Sequence, residues 1–128
     1  MSERVPSESQ EQKWLFEWAR LRERAVPELR LLFHIPNEGK RTKATGGKMV
    51  AEGLKSGVPD LFLPVARGCF HGLFIEMKRV KGGRVSLSQH DWITELVRQG
   101  YRCVICRGWE EAKDEIERYL KDDKSGCV

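Results

Sequence analysis

Apolar residues return along this chain with two different periods. Trp14, Leu15, Trp18 and Leu21 recur every three to four positions behind a Ser7-to-Gln10 capping-box pattern, which predicts a first helix over residues 7–24. The run LRLLFHIP (29–36) predicts a strand that Pro36, Asn37 and Gly39 end. TKATGGKMVAEGLK, which follows, fits a short helix or a glycine-broken loop equally well. VPDLFLPV (58–65) predicts a second strand, with Pro59 near its start, where a missing N–H is tolerated. Gly68 and Gly72 bracket a turn into a third strand, LFIEMKR (73–79), and KGGR then forms a flexible tip. A second capping-box pattern, Ser86 to Gln89, opens a helix through Ile93, Leu96 and Val97 that stops at Gly100. YRCVICR predicts the fourth strand, and WEEAKDEIERYL a last helix with Ala112, Ile116 and Leu120 on its buried side. The order predicts an α/β domain, a central mixed sheet flanked by helices, over residues 7–121, with flexible tails at 1–6 and 122–128.

Two positions break the pattern in a way that suggests chemistry. A strand alternates its side chains, so Phe74, Glu76 and Lys78 share one face while Leu73, Ile75 and Met77 share the other. Asp60 shares a face with Phe62, and the short connection between the two strands suggests an antiparallel pair that brings Asp60 beside Glu76. Two carboxylates about 4 Å apart repel by roughly 1 kcal/mol in water and by several at protein-like dielectric. Lys78 supplies one compensating charge. A divalent cation supplies two, and one or two carboxylates with waters and substrate oxygens are the usual holders of magnesium. A site that held such a metal would cut phosphodiesters. The same residues also admit a plain buried ion network.

Composition narrows the setting. The chain has 128 residues and is 40% hydrophobic, enough for one domain with a core, and no apolar run approaches the roughly 20 residues that span a bilayer. No signal-peptide pattern opens it, so a cytoplasmic protein with reduced thiols is expected. Cys103 and Cys106 form a CVIC that could hold zinc only if the strand turned there, because residues three apart on a strand face opposite ways. The formal charge of +4 is unevenly placed. Between Gly39 and Lys55, five basic residues, Lys40, Arg41, Lys43, Lys48 and Lys55, face Glu52 alone. That patch suits a phosphate backbone.

Taken together, NEG (37–39), GVPDLFLP (57–64), HGLFIEMKR (71–79) and SLSQ (86–89) resemble the VRR-Nuc domain of the PD-(D/E)xK nuclease superfamily, most closely its small stand-alone phage and prophage members. The resemblance runs from about Ser7 to Leu120. Its Val-Arg-Arg-like element is present only loosely, as KRV after the glutamate. It implies a restriction-endonuclease-like core and a Mg2+- or Mn2+-dependent endodeoxyribonuclease akin to Holliday junction resolvases, with a nickase or flap nuclease of the same fold, or a non-catalytic DNA-binding module, as alternatives. It also implies a homodimer, since cutting two opposed strands requires two sites. Asp60 and Glu76 resemble the metal-binding acids, Lys78 the catalytic lysine, the Met77 carbonyl a further metal ligand, and Gln89 the glutamine opening the next helix. A glutamate on the first helix is implied as well; Glu11, on the apolar stripe, fits best, with Glu8 its rival one turn earlier. DNA contacts are expected from Asn37, Lys40, Arg41, Lys43, Lys48 and Lys55. His34 is either a site-facing or a structural residue, and His71 and His90 are expected on the surface.

Overall fold

The computed structural model describes residues 4–36 and 43–122, with side chains from 47 onward in the second helix. Helix α1 (Glu8–Arg22) begins where the Ser7 hydroxyl accepts the Gln10 N–H at 3.1 Å, and it buries Glu11, Leu15 and Ala19, one residue per turn. The strand expected over 29–36 is mostly something else. Pro27 starts a 3-10 turn over Pro27–Leu31, which buries Leu29 and Leu32 three residues apart, and only Phe33–His34 remain as strand β1. The proline sets a helical φ that LRL then follows, so the apolar run reaches the core by a turn instead of by alternation. The undecided basic segment holds a helix, α2 (Lys43–Ala51).

Strand β2 (Leu61–Leu63) is shorter than its apolar run, and β3 (Leu73–Lys78) is buried along its whole length. Helix α3 (Leu87–Arg98), strand β4 (Arg102–Arg107) and helix α4 (Trp109–Lys121) complete the chain. The sheet order is β1-β2-β3-β4, antiparallel except for the parallel β3–β4 pair that α3 connects. A parallel pair needs such a crossover element.

The two sheet faces differ in what covers them. Leu61, Leu63, Leu73, Ile75 and Met77 pack with Leu15 of α1 and with Ala112 and Ile116 of α4 in one buried cluster. Each such Leu or Ile contributes about 1.5–3 kcal/mol by leaving water. Tyr119 closes this layer, its hydroxyl donating to the Val65 carbonyl at 2.6 Å. On the other face Phe62 stacks on Phe74 with centroids 4.2 Å apart, and Tyr101 meets both edge-on. Glu76 and Lys78 extend that same face beyond the aromatic rings, by strand alternation. Cys103 and Cys106 carry free thiols whose pKa burial pushes up to about 11 and about 12, whereas Cys69 is disulfide-bonded, contrary to the expectation of reduced thiols throughout. Among the described residues no helix is long and apolar enough to cross a membrane.

Candidate active site

The register between β2 and β3 pairs Leu61 with Ile75 and Phe62 with Phe74. Carried one step outward it sets Asp60 against Glu76, and two steps outward Pro59 against Met77. At Pro59 the ladder changes character, because proline brings no N–H to its partner. The Met77 N–H donates instead to the Asp60 side chain, Oδ2 at 2.7 Å, which fixes that carboxylate at the strand edge. The N–H and C=O of a strand residue point to the same neighbour. The Met77 carbonyl therefore faces the Asp60 side, just as the Lys78 carbonyl faces β4 and accepts the Gly108 N–H at 3.0 Å.

Glu76 is the chemical centre of the group and is only 2% exposed. Its pKa is raised from the ordinary 4.5 up to about 9. Burial is the largest cause; the charge of Asp60 and a hydrogen bond with its carboxyl follow, Lys78 opposes them, and Glu8 adds to them. Desolvation and a like charge both disfavour the ionised form. The pair therefore shares a proton, and a cation held between the two carboxyls would take that proton's place. Among the described residues no three His, Cys, Asp or Glu side chains cluster as a metal cage. Two carboxyl groups and a backbone carbonyl are oxygen donors of the kind that magnesium or manganese takes alongside waters and substrate oxygens.

Gln89 links the acids to the lysine. Its Oε1 accepts the Ser86 N–H at 2.9 Å, completing the capping box of α3, and the Lys78 ammonium at 3.1 Å. With the oxygen so committed, Nε2 turns to Glu76 and donates to Oε1 at 3.0 Å. Helix α3 comes this close to the head of β2 because of Gly57: a Cβ there would lie 2.7 Å from the Ser88 backbone, and the φ of +90° suits glycine alone. The glycine of GVPD thus sets the approach of the helix that carries Gln89.

Asp60, Glu76, Lys78 and Gln89 are therefore brought together; Glu11 is not among them. Glu11 is 3% exposed and its Oε1 accepts the Trp109 N–H at 3.0 Å, at the start of α4. A carboxylate at a helix N-terminus satisfies orphan donors and meets the positive end of the helix dipole. Glu8, one turn earlier, lies 4.0 Å from the Lys78 ammonium and adds to the field on Glu76. Its position three residues before Glu11 on one helix face was the available signal. Lys48 and Lys55 are exposed, Lys48 with Glu52 at 3.9 Å. Lys43 starts α2, and Asn37, Lys40 and Arg41 lie outside the described residues. His34 is exposed on the edge strand β1 and lines a groove against α1, on the far side of the sheet from Glu76. His71 and His90 are on the surface.

A mixed sheet that carries Asp60, Glu76 and Lys78 on one face, with Gln89 brought to them by α3 and with α1 and α4 packed against the other face, is the framework of a nuclease domain. The chain belongs to the VRR-NUC domain family, whose model matches residues 7–110. It is similar to a solved structure described as a "VRR_NUC domain protein", with a TM-score of 0.78 at 25% identity and 97% of each chain covered. No curated protein matches it.

Proposed function

We propose that this VRR-NUC domain is a magnesium- or manganese-dependent endodeoxyribonuclease that acts on branched DNA in the manner of a Holliday junction resolvase. The observation that carries the reading is the carboxyl pair: half-buried Asp60 and buried Glu76 meet beside Lys78, where desolvation and the neighbouring carboxyl favour the protonated form of Glu76 and a cation between the two would favour the ionised one. Asp60, Glu76 and the Met77 carbonyl would hold the cation. When bound, it supplies Lewis-acid charge at the phosphoryl group and lowers the pKa of a bound water.

The chain's own residues do the rest. Gln89 holds the Lys78 ammonium beside Glu76, and Lys78 there steadies negative charge that develops on the phosphate. Glu8, within 4.0 Å of Lys78, is the α1 acid that this reading assigns to the site in place of Glu11. The basic segment containing Lys48 and Lys55 grips backbone phosphates without reading base edges. Each chain carries one such site, so symmetrical cutting of a junction takes a homodimer.

Incubating purified protein with a mobile-core four-way junction, a flap, a nicked duplex and a linear duplex, with and without magnesium, tests the proposal. Magnesium-dependent cleavage of the junction, abolished in Lys78→Ala with binding retained, is the expected result. Cleavage of flaps or nicks alone assigns the site to another member of the same fold, and binding without cleavage of any substrate makes the chain a DNA-binding module.

A further inference from the structure

β3 leaves Lys78 and enters a stretch with an unusual charge content. From Arg79 to His90 there are three basic residues, Arg79, Lys81 and Arg84, and no acid. All three are exposed, and none has an acidic partner among the described residues. A glycine-paired tip of this kind reads as flexible in the sequence, yet it is held. The Arg107 guanidinium, from the end of β4, donates to the carbonyls of Gly82 at 2.7 Å, Arg79 at 3.4 Å and Gly83 at 3.5 Å. Gly82 and Gly83 take φ of +76° and +69°, which lets the turn fold back sharply.

The turn folds back onto the site. A Cβ on Gly83 would lie 3.6 Å from the Lys78 side-chain stem, so the loop forms a wall against the lysine that the nuclease reading makes catalytic. Two residues after Arg84, the chain becomes the Ser86 cap that orients Gln89. Arg107 thus spends its donors inward on the loop backbone, while the cationic ends of Lys81 and Arg84 remain exposed at the rim. Fixed backbone, outward cations and an adjacent phosphodiesterase site form one arrangement with a clear ligand chemistry. Arg79 adds a backbone tie, reaching the Val5 carbonyl at 3.5 Å.

The geometry points to a phosphate-binding clamp at residues 79–84, in which Lys81 and Arg84 contact the DNA backbone next to the scissile phosphate and Arg107 is the positioning residue. It rests on the nuclease reading and adds contacts from residues outside the 39–55 segment. The test is equilibrium binding of the full chain to a fluorescent 30-base-pair duplex in EDTA, titrated across sodium chloride concentration. Removing two phosphate contacts lowers the slope of log affinity against log salt by about 2, so Lys81→Ala/Arg84→Ala is expected to show that loss and roughly hundredfold weaker binding near 0.1 M salt. Arg107→Ala keeps both cations, and is expected to weaken binding with an unchanged melting temperature and faster amide exchange at Gly82 and Gly83. Arg118→Ala, on the exposed side of α4, serves as the control with an unchanged slope. A wild-type slope in the double variant, with wild-type DNA cleavage intact, overturns the clamp and leaves the nuclease reading standing. Failure of the unmodified protein to bind or cut any DNA overturns both.

Discussion

Glu11 and Glu76 are both glutamates, both almost wholly buried, and they lie on elements packed against each other, yet they have opposite fates. Glu11 meets the backbone N–H of Trp109 at the start of α4, where a helix offers unpaired donors and a partial positive charge. Glu76 meets another carboxyl group and has its pKa lifted to about 9. One buried acid is satisfied as a carboxylate by the fold itself; the other is held as the neutral acid against a second carboxyl group. Burial alone therefore does not tell these two acids apart, and the sign of what faces each one does.

The largest expected effect separates the two by chemistry. Glu76→Gln removes the negative charge while keeping shape, and is expected to lower the cleavage rate at least about 1,000-fold, or roughly 4 kcal/mol of transition-state stabilisation, with the fold intact by circular dichroism. Glu11→Ala acts on stability instead: a buried N–H loses its acceptor, so thermal or urea unfolding should show a loss of about 2–3 kcal/mol. Glu11→Gln keeps a carbonyl oxygen for Trp109 and is expected to recover most of it. Next comes the contest on α1. Glu8→Gln should slow cleavage about tenfold while Glu11→Gln leaves the rate within about twofold, as measured in single-turnover assays; the reverse ranking would return Glu11 to the site.

The most gradual effect is on pH. With its folded pKa raised, Glu76 keeps a proton in the native state that the unfolded chain releases above about 4.5. In metal-free protein the native state then binds more protons than the unfolded state between that value and about 9, so stability falls as pH rises through this window, by no more than about 1.4 kcal/mol per pH unit. Melting temperatures followed across the window should show this slope in the wild type and a flatter one in Glu76→Gln.

What was legible in the sequence follows from which forces act locally. The pairing of GVPDLFLP with LFIEMKR and the shared face of Glu76 and Lys78 could be read because strand alternation fixes faces and the short connection fixes direction. The Ser7 and Ser86 caps could be read because capping is a contact three residues long. β1 could not, because Pro27 and two leucines three apart served a helical turn as well as a strand. Glu11 on an apolar stripe had two possible solutions, and only the tertiary approach of α4 decides between them. The anchoring of the KGGR tip was hidden for the same reason, since its holder, Arg107, lies more than 20 residues downstream on a different strand.

Pro59 contributes through what it lacks. Any other amino acid at that position would carry a hydrogen to the edge of the sheet where the Met77 carbonyl points, and that hydrogen would compete for the lone pairs that our proposed reading gives to a cation. The proline of the PD pair is thereby a guardian of an acceptor as well as a bend in the chain. Tolerance to substitution there should follow the presence or absence of a donor far more closely than the size of the side chain.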